Sequence, residues 1–292
     1  SSYCTLEEVN ISPTLPAPSQ FEYRNHARFT VRFGGQMGFS NRITRRFVRI
    51  ENCMLMAPEI NEVLGGLQDK VSETTNLSVR VGVNTGDRLI QPTLSAPDIP
   101  FASGQKWYME KLKGRIFRVA SPSFFQVNTP QSETLIDLVS EYLALTKEQI
   151  LVDAYAGVGT FASILAPNVK KVFAIEESAS AVMDASSALS DVLNIEFLLG
   201  KTEKVLADIA EDIDALILDP PRVGCHPDTL KAVIERRPPR VAYVSCDPLS
   251  LARDLDILVK GNYRVINVQP VDMFPQTYHV ECVATLTLSC ET

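Results

Sequence analysis

From about residue 130 onward, wholly apolar segments alternate with amphipathic ones, and this alternation constrains the fold more than any other feature of the chain. QILVDAYAG, KVFAIEE, IEFLLG, IDALILDPP and VAYVSC read as strands. SETLIDLVSEYLAL, TFASILAP, SASAVMDASSAL, TEKVLADIA, PDTLKAVIERR and LSLARDLDILVK read as helices before and between them. A strand with no polar alternation is buried on both faces, and that requires a parallel sheet covered by helices on both sides. Two further strands, YRVINVQP and HVECVATLTLS, close a mostly parallel sheet of seven strands.

Residues 20–120 have another texture. FTVRF, a Gly34-Gly35 turn, MGFS, RRFVRI, LSVRVGVN and RLIQPTL alternate as exposed-face strands do, and one helix is expected over APEINEVLGGLQDKVSE. The expected division is a smaller α+β domain over residues 1–116 and an α/β domain over 117–292. Charge divides the same way. Net charge is −7, yet residues 1–120 carry 15 Lys and Arg against 11 Asp and Glu. Between residues 20 and 50 the only acid is Glu22, beside Arg24, Arg28, Arg32, Arg42, Arg45, Arg46 and Arg49. Such a cluster suits a phosphate-binding surface, or else a solvated strand face.

No apolar run is long enough to span a membrane. The opening SSYCTLEEVN lacks a basic stretch followed by an apolar one, so no signal peptide is expected, and it begins abruptly, as if sequence preceded it. The six cysteines form no CxxC pair, which points to a reducing cytoplasm and leaves one free to act as a nucleophile.

Four segments carry chemistry. LVDAYAGVGTF runs a strand through Asp153 into a turn with Gly157 and Gly159, where the backbone can approach a ligand; Glu176, at the end of the next strand, can accept hydrogen bonds from ribose hydroxyls. That segment indicates a nucleoside cofactor, or only a tight turn. LILDPPRVG ends a strand in Asp219-Pro220-Pro221-Arg222, and the two prolines stiffen a shelf beside the strand end. YVSCDP places Cys246 just past a strand and before a helix N-terminus, which favours a thiolate over an inert core thiol. In DMFPQTYHVEC, Glu281 enters an apolar strand, where burial raises its pKa and suits a general base. His279 is left structural, metal-binding or catalytic; with no second ligand at suitable spacing, metal fits least.

SFFQVNT (123–129), DAYAGVGTF (153–161), ILDPPRVG (217–224), YVSCDPLSLARDL (243–255) and DMFPQTYHVE (272–281) occur in this order, and as a set they resemble the RNA 5-methyluridine methyltransferases that act on tRNA or rRNA. YRNHARF, GGQMGFS and IENCMLM match more loosely. The resemblance implies a Rossmann-like class I methyltransferase domain using S-adenosylmethionine. Gln126, Tyr155, Thr160, Glu176 and Asp219 fall where the family contacts that cofactor. Cys246 matches the nucleophile and Glu281 the base. Arg222, Phe125, Arg24, Arg28, Arg45 and Arg46 are the candidates for contact with RNA. The family often has Asn where Thr160 stands, and an acid near Gly200-Lys201-Thr202. Many members carry an N-terminal OB-like RNA-binding domain that this sequence does not include. Some hold a 4Fe–4S cluster on four cysteines; Cys53 matches the last, while Cys4 does not fit the spacing of the others. No obligate protein partner is indicated.

The implied chemistry has a physical reason. Carbon 5 of uracil is a weak nucleophile until a thiolate adds to carbon 6. Adenine or glutamine N-methyltransferases want an aromatic after the two prolines, where Arg222 stands. An RNA 5-methylcytidine methyltransferase wants a cysteine directly after the proline where Pro221 or Arg222 stands, and Cys225 comes too late. An RNA-binding or RNA-folding module with a vestigial site would not need Cys246 and Glu281 together.

Overall fold

The computed structural model describes residues 9–189 and 191–289. Contacts divide the chain into two units, one of Ser19–Thr129 and one from Pro130 onward together with the segment ending at Pro18.

In the Ser19–Thr129 unit, strands β1 (His26–Arg32), β2 (Gln36–Ser40), β3 (Phe47–Arg49), helix α1 (Pro58–Leu67), β4 (Asn76–Val81) and β5 (Arg88–Gln91) build an antiparallel sheet in the order β3-β2-β1-β4-β5. Alternate residues Ala27, Phe29 and Val31 of β1 and Leu77, Val79 and Val81 of β4 pack with Ile60, Val63, Leu64 and Leu67 of α1 in one core. Pro58 opens that helix, where a missing N–H costs nothing. The expected helix ran to Glu73, but it ends at Leu67. Gln68 leaves helical geometry because its buried side chain serves β2, accepting from Met37 N at 2.6 Å and donating to Met37 O and Ile50 O.

A hairpin absent from the expected elements, β6 (Trp107–Leu112) and β7 (Arg115–Ala120), turns through Lys113 and Gly114, both with positive φ, as a two-residue turn between twisted strands requires. A boundary at 116/117 would cut this hairpin. Glu110, fully buried in β6, accepts from Val83 N, Asn84 N, Lys111 N and Thr129 Oγ1 at 2.8–3.0 Å. One carboxylate thus satisfies four donors, which is why a charge is tolerated there.

The second unit comprises α2 (Thr129–Leu143), β8 (Ile150–Ala154), α3 (Thr160–Leu165), β9 (Lys171–Glu176), α4 (Ala179–Ala188), β10 (Ile195–Leu199), α5 (Thr202–Asp208), β11 (Ala215–Leu218), α6 (Pro227–Arg236), β12 (Arg240–Ser245), α7 (Pro248–Lys260), β13 (Tyr263–Val271) and β14 (Glu281–Leu288). Seven strands lie in the order β10-β9-β8-β11-β12-β14-β13. From β10 to β12 every pairing is parallel; β14 runs antiparallel to both β12 and β13. Val152, Leu216, Leu218, Val241 and Tyr243 pack with Leu230 and Val233 of α6 and Leu251, Leu255 and Leu258 of α7, all at most 3% exposed. Each such leucine stabilises by roughly 1.5–3 kcal/mol. Residues 12–15 run beside β13, with Ser12 N donating to Val268 O and Leu15 N to Pro270 O. That pairing assigns this N-terminal segment to the second unit. Among the described residues no helix is long and apolar enough to cross a membrane.

Replacing Glu110 by Ala leaves backbone donors without a partner and should destabilise the Ser19–Thr129 unit by about 2–4 kcal/mol. Trp107 is the only tryptophan and lies in the same strand, so urea unfolding followed by its fluorescence reads this unit. An unchanged midpoint contradicts the account of Glu110.

Candidate active site

The sheet order reverses between β8 and β11, and α/β folds bind ligands in the crevice outside the carboxyl ends at such a reversal. All of the second unit's sequence-expected site residues stand at this edge. Asp153, buried in β8, accepts from Ala162 N at 2.8 Å through one oxygen, while its other oxygen has no protein partner. Burial, with Asp219 and Glu176 adding, pushes Asp153 up to about 7. Past β8 the chain turns sharply: Tyr155, Gly157 and Gly159 all have positive φ. For Tyr155 that is strained backbone, of a kind that concentrates at functional sites. Thr160, half-buried, opens α3.

Glu176 ends β9 and holds this turn, accepting from Gly157 N and from Ser178 N at 2.8 Å each. Each carboxylate oxygen keeps a second lone pair for a ligand hydroxyl. Tyr155, Glu176, Glu177, Thr202, Glu203 and Pro221 are among the walls of a cavity of about 660 Å³.

Beside it lies a second cluster. β14 is antiparallel to β12 with Ser245 opposite Cys282. Hence the residue leaving β12, Cys246, and the residue entering β14, Glu281, come side by side. Glu281 is 3% exposed. Burial, reinforced by the charge of Asp219 and opposed by Arg222, pushes it up to about 8. Burial also raises the Cys246 thiol, as do the charges of Glu281 and Asp219, whereas a hydrogen bond from Arg222 lowers it. Asp219, only partly exposed, is pushed up to about 7 by burial. Arg222 also donates to His279 Nδ1 at 2.8 Å. The His279 ring meets Phe274 edge-on, with centroids 6.1 Å apart, and Tyr278 at 4.1 Å. His279 therefore sits as a partner of Arg222, and among the described residues no group of three His, Cys, Asp or Glu could hold a metal ion.

The remaining candidates lie in the Ser19–Thr129 unit. Phe125, expected to face substrate, is 7% exposed and packs on Phe117, centroids 6.0 Å apart; its neighbour Phe124 is 75% exposed. The Gln126 carbonyl accepts from Asn25 Nδ2 at 3.0 Å. Arg28, Arg45 and Arg46 are exposed and Arg24 is half-buried. His26 is pushed down to about 4 by burial, with Arg80, Arg28 and Arg24 adding, so a positive field surrounds β1. Arg49, in contrast, is paired with Glu51 and Asp69. Cys53 is half-buried against the α1 core, with Asn61 bonding its backbone. Cys4 and Cys290 lie outside the described residues.

The sequence profile of the tRNA (uracil-5-)-methyltransferases matches residues 108–289. The chain belongs to that family. Among its relatives, an uncharacterized RNA methyltransferase of Thermosynechococcus vestitus is 32% identical over 339 aligned positions, spanning 97% of this chain and 76% of that protein. Another, of Enterococcus faecalis, is 33% identical over 341 positions, spanning 97% and 75%. The crystal structure of Pyrococcus abyssi tRNA (uracil-54, C5)-methyltransferase in complex with S-adenosyl-L-homocysteine is similar at a TM-score of 0.78 and 25% identity, covering 96% of this chain and 79% of that one. The α/β unit has the Rossmann-like class I methyltransferase fold, preceded by the smaller sheet-rich unit.

In this tRNA (uracil-5-)-methyltransferase family member, Arg253, Asp254 and Tyr243 brace the same edge from α7 and β12 without having stood out in the sequence. Asp254, fully buried on α7, accepts from Tyr243 Oη at 2.6 Å and from Cys225 N at 2.7 Å, and pairs with Arg253. A signal existed. Leu251, Leu255 and Leu258 form the apolar stripe of α7, and an aspartate at 254 interrupts it.

The raised Glu281 carboxyl has a consequence for stability. Between its ordinary value of 4.5 and about 8, the folded protein holds a proton that the unfolded chain releases. Stability from this group is therefore full below about 4.5 and lost as pH rises toward 8. Glu281→Gln should match wild type in melting temperature near pH 5 and exceed it at pH 8.5, at roughly 2–4 °C per kcal/mol. A difference independent of pH contradicts the assignment.

Proposed function

We propose that this chain transfers a methyl group from S-adenosylmethionine to carbon 5 of a uridine in tRNA or rRNA through a covalent bond between Cys246 and carbon 6. The observation that carries the reading is the pairing of Cys246 with Glu281 at the sheet edge, made by the antiparallel register of β12 and β14.

The crevice suits the cofactor. It is large enough for a nucleoside, Glu176, Glu177 and Glu203 stand in its wall beside Lys201 and Arg253, and a buried oxygen of Asp153 lies free near the glycine turn. Tyr155, Gly157, Gly159, Thr160, Glu176 and Asp219 are the residues that would hold it. S-adenosylmethionine supplies, when bound, an electrophilic methyl group.

Everything else falls to side chains. Cys246 as thiolate adds to carbon 6 of uracil, and the electrons of the 5,6 double bond move to form an enolate whose carbon 5 is nucleophilic. Arg222 faces the thiol and offsets negative charge as it moves onto the ring oxygen. Once carbon 5 carries the methyl, Glu281 accepts its proton, the double bond re-forms and the sulfur leaves. The base must quit its stack to reach the thiol. Arg24, Arg28, Arg45 and Arg46 supply phosphate contacts, which fix the RNA without reading its sequence. Phe124, the exposed member of its pair, is the better stacking candidate than Phe125.

Cys246→Ala should form no 5-methyluridine, and Glu281→Gln should accumulate an RNA–protein adduct that survives denaturing electrophoresis. Mass spectrometry of nucleosides from a strain lacking the gene names the RNA. Normal turnover by Cys246→Ala would overturn the proposal.

A further inference from the structure

The thiol and its cation come from different parts of the chain. Cys246 follows β12 and precedes α7, whose N-cap Asp247 accepts from Ser250 N at 2.8 Å. Arg222 stands at the tip of a tight turn closed by Gly224 N donating to Pro221 O at 2.8 Å. It is exposed, and its guanidinium donates to His279 at 2.8 Å, so the placement of the whole side chain follows from where its turn is held. What anchors its turn is α7. Arg253 Nη2 donates to Val223 O at 2.7 Å, and Asp254 Oδ2 accepts from Cys225 N at 2.7 Å. Gly224 sits between them with φ +81°; a Cβ there would lie 2.4 Å from Arg253 Nη2 and 2.5 Å from Asp254 Oδ2. The same Asp254 oxygen accepts from Tyr243 Oη at 2.6 Å, on the strand that delivers Cys246 three residues later. One fully buried carboxylate therefore ties together the turn, the strand and the helix.

We propose that Asp254 is a positioning residue: by latching the Pro221–Gly224 turn and β12 to α7, it holds Arg222 against Cys246 and so sets how readily that thiol ionises. This rests on the proposed function only for the role of Cys246. The charged and titratable groups facing the thiol are Arg222 and Asp219 after β11 and Glu281 on β14. Arg222 is the one that favours the thiolate, and it also contacts His279. Facing Asp254 are Arg253, Tyr243 and Cys225. Displacing Arg222 leaves the thiol with two acids and burial, all of which oppose ionisation.

The test measures the thiol directly. Alkylation of Cys246 by iodoacetamide is followed against pH in the whole protein, with the Cys246 peptide quantified by mass spectrometry to separate it from other cysteines. Asp254→Asn should move the profile upward and slow alkylation at pH 7 by up to about tenfold, a tenfold change corresponding to one pKa unit. Arg222→Ala should do the same, and the double variant should add little to either single one. Tyr243→Phe, which removes one hydroxyl, should move the profile by less and serves if Asp254→Asn does not fold. A folded Asp254→Asn or Tyr243→Phe with lowered melting temperature and an unmoved alkylation profile would reduce Asp254 to a structural role and overturn the proposal. Alkylation needs no RNA, so normal turnover by Cys246→Ala would defeat the proposed function while leaving this result to stand or fall alone.

Discussion

The meeting of Cys246 and Glu281 depends on β14 running antiparallel to β12 beside an otherwise parallel run of strands. In a parallel sheet all strands end at the same edge, so residues that enter strands stand at the far side of the molecule. A carboxylate on a strand's first residue can meet a thiol beyond another strand's last only if the two strands run opposite ways. β14, lying between β12 and β13, does this, and the register of Ser245 with Cys282 sets Glu281 next to Cys246. A slip of one residue would turn the Glu281 side chain to the other face.

That proximity brings an electrostatic cost. Asp219, Glu281 and Cys246 crowd one partly dry pocket, and all three are pushed toward their protonated forms, chiefly by burial. Arg222 is a cation that favours the ionised form of both the thiol and Glu281. The reaction proposed above, which begins with a thiolate and ends with a carboxylate taking a proton, would need the two groups ionised in turn. The first anion resists the second through mutual repulsion, so the site passes charge along instead of storing it.

The α/β unit was legible because buried strands leave unbroken apolar runs, and the places of Cys246 and Glu281 were legible because one follows the end of such a run and the other is a carboxylate at the start of one. The short helix α1 was not: periodicity continues past Leu67, and only the distant demands of Met37 and Ile50 on Gln68 end it. The β6–β7 hairpin was not legible because Glu110 falls among the inward-facing residues Tyr108 and Leu112 of WYMEKL, and in RIFRVA Arg115 and Arg118 lie three apart, so neither segment shows clean two-residue alternation. Phe125 and Phe124 are adjacent and identical in type, and no local rule says which one turns inward against Phe117. In each case the missing information lay in a partner far away in sequence.

Asp254 illustrates that limit most clearly. A buried carboxylate is tolerated only when donors surround it, and here the donors come from β12, from α7 itself and from the turn after β11. Its value to the fold cannot be separated from its effect on geometry. Removing the carboxylate frees the turn, and the turn carries the guanidinium that lowers the thiol's pKa. Stability and reactivity are thus written into the same hydrogen bonds: the interactions that seat α7 against the sheet also decide where positive charge stands relative to sulfur. A more apolar α7 that packs as well would keep the helix in place and still lose control of Arg222, because gripping a glycine turn by its backbone N–H and a strand by its tyrosine at once takes a side-chain oxygen that accepts from both.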